Sequence, residues 1–277
     1  DMVATSNGQN GIRAFLGASV YAFNATANQN SGNGIQASTG GAIYAENADA
    51  GTNNNNGFAA FNSGVIDMLN GTSTNNLNQG VGISLGSSIN AEGATVTGNT
   101  NNGISGYNGV AVGAPRATSS DNGGSGFRVD LGSAMDVGAV FSTGARSTAQ
   151  DNGQWGYATF NGSAANAVAG QALDNGFDGF AANFASTMNA SYHGPTGTPA
   201  LSQGNGGSGF SSSDNSVLDG AASTAKENQG DGFTAHDGGS ISVWGKSDDD
   251  GNWVSGTVSE DNAGHGFSAY GGAIISG

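Results

Sequence analysis

Large apolar residues recur along the chain at a nearly constant interval, each directly after a glycine. The pairs are Gly11-Ile12, Gly34-Ile35, Gly57-Phe58, Gly82-Ile83, Gly103-Ile104, Gly126-Phe127, Gly156-Tyr157, Gly179-Phe180, Gly209-Phe210, Gly232-Phe233 and Gly266-Phe267. Successive anchors lie 23, 23, 25, 21, 23, 30, 23, 30, 23 and 34 residues apart. Counted from the glycine, position +3 is mostly small (Ala14, Ala37, Ala60, Ala182, Ala235, Ala269), and +9 is usually apolar (Val20, Ile43, Ile66, Val112, Met135, Met188, Leu218, Ile241, Ile275). Position +11 is small or apolar (Ala22, Ala45, Met68, Val137, Ala167, Val243). The +1/+3 and +9/+11 pairs have the two-residue period of strands with one buried face. A third short strand is predicted around Ala25-Thr26-Ala27, Thr95-Val96, Thr148-Ala149 and Thr224-Ala225.

A unit of three short strands is too small to close a core. Stacked about 4.8 Å apart, successive units pair each strand with its equivalents above and below and fill the inside with columns of like side chains. The expected fold is therefore all-β, a single-stranded parallel β-helix (solenoid) whose eleven anchors give eleven rungs, a rod roughly 50 Å long. Left-handed coils use hexapeptide repeats, which 23 does not fit, and parallel crossovers favour the right hand, so the coil is read as right-handed.

An asparagine stands four residues before every anchor: Asn7, Asn30, Asn53, Asn78, Asn99, Asn122, Asn152, Asn175, Asn205, Asn228 and Asn262. Asparagine tolerates positive φ at a sharp corner, and its amide can bond to the asparagine one rung away, so this column is read as an architectural ladder. Asp121, Asp151, Asp174, Glu227 and Asp261, each one residue before a ladder asparagine, are read as turn formers and solubilising charge.

Composition narrows the partners. Glycine (51) and asparagine (33) dominate the 277 residues, while only 10% are charged and 3 are proline, which fits neither a disordered tail nor collagen. A net charge of −15 argues against nucleic acid or anionic lipid as partner. The absence of cysteine removes disulfides, thiol nucleophiles and Cys-ligated metals. No apolar run approaches the length of a membrane-spanning helix, so no membrane insertion is expected.

The unit Asn-x-x-x-Gly-[Ile/Phe]-x-Ala, with a Gly/Ser-rich turn, an apolar strand and Ala-Thr-Ala, resembles the right-handed β-helix repeats of bacteriophage tail fibres and tailspikes. Asn228–Ile241 and Asn30–Ile43 carry it most clearly, and the resemblance covers nearly all 277 residues. Pectate-lyase-like enzymes and bacterial surface adhesins resemble the same scaffold. The resemblance implies a virion tail or cell-surface location and a parallel homotrimer. Uncapped terminal rungs point likewise to a trimer, to end-to-end stacking, or to 1–277 being one β-helix domain within a longer fibre protein.

Three long units place their extra residues at one corner, within Gly138–Arg146, Ser191–Pro199 and Trp244–Gly256. Phe141, Arg146, Tyr192, His193, Trp244, Lys246 and Trp253 in these loops are the candidate binding residues, because rings cover the apolar faces of sugars while polar groups bond their hydroxyls. Contact with a neighbouring subunit is the alternative role for the same loops. Asp248-Asp249-Asp250-Gly251 is a candidate Ca²⁺ loop that lacks the spaced ligand frame, and no other cofactor is expected. Asp67 and Glu92, both at +10 of their units, are the candidates for a catalytic carboxylate pair. Three functions follow: a structural, receptor-binding element of a phage tail fibre that contacts host glycan, a polysaccharide depolymerase (hydrolase or lyase) of tailspike type, or a bacterial adhesin or fibre subunit.

Overall fold

Each interior rung is built from three strands of three or four residues, and like strands of successive rungs pair in parallel. The computed structural model describes residues 1–140, 143–192, 197–247 and 253–277. Among these, sheet 1 has eleven strands running from Ile12–Phe15 to Phe267–Ala269, and sheet 2 has eleven from Ser19–Tyr21 to Ile274–Ser276. Sheet 3 has nine strands, from Asp49–Gly51 to Val258–Glu260, extended by the parallel bridges of Thr26 to Val3 and to Asp49. The fold is the expected all-β, right-handed parallel β-helix.

The register corrects the repeat at its fourth unit. Phe58 pairs with Val81, and Val81 with Ile104, whereas Ile83 aligns with Ala60 and Gly106. The anchor is thus Gly80-Val81, the intervals around it are both 23, and the ladder asparagine is Asn76 rather than Asn78. The strand Val81-Gly82-Ile83-Ser84 offers two inward apolar residues, and Gly82-Ile83 imitates an anchor two residues late. Asn78 belongs instead to an outer, partly exposed ladder, donating to Asn55 at 2.9 Å and accepting from Asn101 at 2.7 Å.

The inner ladder, Asn7 to Asn262 by way of Asn76, satisfies itself. In each interior rung the asparagine Oδ1 accepts from both the backbone N and the Nδ2 of the preceding asparagine. The ten Nδ2 to Oδ1 distances are 2.8–3.0 Å. The second Nδ2 proton goes to a carbonyl of sheet 3, as Asn53 does to Ala27 at 3.0 Å. All four hydrogen-bonding sites of the amide are used, which is why Asn53 and Asn205 sit at 0% exposure without penalty. Positive φ falls one residue earlier than expected: Gln29, Asn75, Asp121, Asp151, Asp174, Glu227 and Asp261 have φ of 50–59°. The acidic column therefore makes the corner, and the ladder holds it.

Inside, position +1 becomes a pile of rings from Phe127 through Tyr157, Phe180, Phe210 and Phe233 to Phe267, with centroids 4.7–5.0 Å apart and planes within 9°. The rung spacing itself imposes this stacking. Tyr157 places its hydroxyl in the core because the O–H donates to the Ser147 carbonyl at 2.8 Å; burial pushes its pKa above the ordinary tyrosine range. Glycine is required at the anchors: a Cβ at Gly103 would overlap Ser119 Oγ and come within 2.8 Å of Asn122 Nδ2.

The long units put their extra residues where expected, between the strands of sheets 2 and 3, for example between Ala134–Asp136 and Thr148–Gln150. Trp253–Ser255 pairs antiparallel with Lys246–Ser247 within the third loop.

Candidate functional site

Strand alternation turns positions +2 and +4 of sheet 1 outward, yet several +2 residues are sealed off: Ala59, Ser105, Ala158 and Ala181 are at most 1% exposed in the structure. The cover comes from side chains at −1 and +4, which meet above them. Asn102 Nδ2 donates to the Tyr107 hydroxyl at 3.0 Å across Ser105. Trp155 packs edge-on against Phe160 at 5.3 Å across Ala158, and against Phe177 at 5.0 Å.

Between these two bridges the sequence changes. At rung six the residues three and two before the anchor are Gly123 and Gly124, where neighbouring rungs carry Asn101 and Gln154 at the latter position. The missing side chains open a cavity of about 310 Å³ lined by Gln79, Asn101, Asn102, Tyr107, Gly123, Gly124, Arg128 and Gln154. A Cβ on Gly124 would press on Asn102, 2.5 Å from its Oδ1 and 2.9 Å from its backbone nitrogen.

Arg128 is the cation of this cavity. Its guanidinium lies 4.5 Å from the Phe160 ring centroid and 5.9 Å from that of Tyr107, while Nη2 donates to Asp130 Oδ2 at 2.9 Å. The other Asp130 oxygen accepts from Asn161 Nδ2 at 2.7 Å. Beneath and beside it, Arg128 Nε, Ser105 Oγ and Ser125 Oγ are buried with no hydrogen-bond partner among the described residues. Ser105 pairs in register with Arg128, and Ser125 precedes its anchor glycine, so the three atoms belong to adjacent positions on two rungs.

One rung beyond Trp155, burial pushes the Asp178 carboxyl above its ordinary pKa, opposed by hydrogen bonds from the Ser208 N–H, at 2.6 Å, and the Trp155 side chain, and by the charge of His236.

The sequence candidates are distributed differently. Asp67 does not neighbour Glu92: it pairs in register with Asn90, whose Nδ2 donates to Asp67 Oδ1 at 3.0 Å. Glu92 lies two residues further round the coil and forms an ion pair with Arg116 at 2.9 Å. Their common +10 position depended on the misplaced anchor, since Glu92 is at +12 of Gly80. In the loops, Trp244 is exposed, Tyr192 is buried, and Arg146 is half-buried, its Nη1 3.5 Å from the Pro199 carbonyl of the next loop. Burial lowers the Arg146 pKa. Lys246 and Trp253 are placed by their backbone in the antiparallel pair. Phe141, His193, Asp248, Asp249 and Asp250 lie outside the described residues. Among the described residues no group of three or more His, Cys, Asp or Glu is arranged to hold a metal ion.

The loop corner and the Arg128 cavity are separated by the whole of sheet 3, so they form two surfaces. Sequence periodicity missed the second because its residues occupy outward positions that the repeat leaves free. The available signal was the replacement of small residues there by Tyr107, Arg128, Asp130, Trp155 and Phe160 beside a double glycine.

No family model matches the sequence, and no curated protein matches it. Among solved structures the chain is similar to the periplasmic alginate epimerase AlgG. A point mutant of that enzyme aligns with a TM-score of 0.48 at 12% identity, over 95% of this chain and 72% of the other. The unmutated form aligns with a TM-score of 0.47 at 10% identity, over 94% and 72%.

Proposed function

We propose that this chain is a stiff carbohydrate-binding rod of the phage tail fibre or tailspike kind, structural rather than catalytic, which engages a host-surface saccharide on the outer face of sheet 1. The observation that carries this reading is the cavity around Arg128. Gln79 and Gln154 each offer a donor and an acceptor, Asn101 offers its side-chain oxygen, Tyr107 a hydroxyl, and the guanidinium, held by Asp130, a fixed positive charge, a set suited to vicinal sugar hydroxyls. The Trp155–Phe160–Phe177 cluster continues from it along the rod and supplies ring surface for the apolar face of a pyranose. Trp244, beyond sheet 3, provides a separate exposed ring for the same ligand class.

The test is titration of bacterial surface polysaccharides against wild type and Arg128→Ala, with melting followed in parallel. Loss of one charge-assisted hydrogen bond is expected to weaken binding by roughly 10- to 100-fold. Undiminished binding by a folded Arg128→Ala protein would overturn the assignment.

One observation favours a second reading, depolymerisation. A carboxyl with raised pKa beside an indole, as at Asp178, is the environment of a general acid. Release of reducing ends or unsaturated sugars by the wild type, and its loss in Asp178→Asn, would select that reading.

A further inference from the structure

The corner between sheets 1 and 2 carries residues that the local backbone disfavours. Position +5 of every rung adopts positive φ, the conformation of asparagine, aspartate and glycine. Asn62, Asn108 and Asn161 occupy it on the third, fifth and seventh rungs, with φ of 51–63°. On the first, fourth, sixth and eighth rungs it holds Leu16, Leu85, Leu131 and Phe184, with φ of 53–56°. These four side chains gain little burial in return: they are 69%, 50%, 50% and 52% exposed. A branched or aromatic residue here meets both a steric cost and a solvation cost that asparagine avoids, three times in the same column.

A second observation concerns charge. In a chain of net charge −15, positions +5 to +8 of the first eight rungs contain no charged residue. These are residues 16–19, 39–42, 62–65, 85–88, 108–111, 131–134, 161–164 and 184–187. Acidic side chains resume in the column at Asp214 and Asp237. The uncharged belt ends at the outer face of sheet 2, where shallow depressions of about 430 and 400 Å³ are floored by Val65, Ser88, Ala111, Ala134 and Ala164 and bounded by Asp67 and Asp136. Absence of charge with protruding aliphatic and aromatic groups is the composition of an interface centre.

We infer that this corner, from Leu16 through Leu85 and Leu131 to Phe184, is the contact line for a second copy of this chain lying alongside the first. Leu85, Leu131 and Phe184 stand on alternate rungs, about 10 Å apart. Only a partner with the same rise per rung keeps such contacts in step along the rod. A cationic partner is drawn to the acidic columns elsewhere, whereas two acidic rods can approach only where both are uncharged.

Sedimentation velocity over a concentration series, on the full chain, tests the inference with Leu85→Asn/Leu131→Asn/Phe184→Asn. Asparagine is this column's own residue, so the triple variant is expected to fold and to melt no lower than wild type. The wild type is expected to associate, more tightly as salt screens its charge, and the triple variant to sediment as a monomer at tenfold higher concentration. Leu77→Asn, which removes an equally exposed leucine at a different corner, is expected to associate like wild type. A wild type that stays monomeric throughout, whatever else the corner binds, overturns the inference. So does a triple variant that still associates, or equal loss in Leu77→Asn.

Discussion

Position −1 of sheet 1 shows how one residue can serve the coil and still differ in chemistry from rung to rung. Asn10, Asn33, Asn56 and Asn102 accept, through Oδ1, the backbone N–H of the equivalent residue one rung on, and Asp178 and Asp231 do the same with a carboxylate. A neutral amide makes that bond without desolvating a charge, whereas Asp178 does desolvate one, and its pKa rises. A carboxyl whose pKa is higher in the folded than in the unfolded chain stabilises the fold fully below the unfolded value, near 4, and loses that contribution as pH rises through the folded value. Asp178→Asn keeps the acceptor and removes the titration. Its melting temperature relative to wild type should therefore climb between pH 4 and pH 7. A constant difference, or one that falls with pH, would show that burial does not govern this carboxyl.

At the scale of the strand and its corner, the two asparagine ladders separate burial from appearance. Asn76→Ala takes away the acceptor of both Asn53 N and Asn53 Nδ2, at 2.9 and 3.0 Å, and leaves those donors buried. The cost should be about 3 kcal/mol, from two orphaned groups at 1–3 kcal/mol each. Asn78→Ala breaks two bonds in a ladder open to water and should cost about 0.5 kcal/mol. Chemical denaturation of the two variants decides between Asn76 and Asn78 as the true member. The strands, their inward columns and the enlarged corner were legible in the sequence because each repeats a period of two within a period of 23. The fourth rung was misread because both of its alternating inward residues follow glycines, and a motif of one glycine and one apolar residue cannot choose between them. The Arg128 cavity was illegible for another reason: it arises from side chains that meet across a +2 residue, and a repeat describes only what is the same from rung to rung.

Over the whole molecule, the enlarged corner, the Arg128 face and the uncharged belt occupy different sides of one rod, so each can change without disturbing the others. Their common support is the inner ladder, which also bears on how the protein ages. Its interior members Asn122-Gly123, Asn152-Gly153, Asn175-Gly176 and Asn205-Gly206 are of the Asn-Gly type most prone to spontaneous cyclisation and deamidation, in which the glycine nitrogen attacks the asparagine side-chain carbonyl. Here each of those nitrogens already donates to the preceding ladder carbonyl at 2.7–2.9 Å, and each side-chain carbonyl is held by two donors. Peptide mapping after prolonged warm storage should find conversion first at the exposed Asn7-Gly8, Asn108-Gly109 and Asn161-Gly162, with these four interior ladder sites intact until the coil opens. The same amides that hold the rungs together would then set the chemical lifetime of the rod, and an otherwise fragile composition would become a durable one.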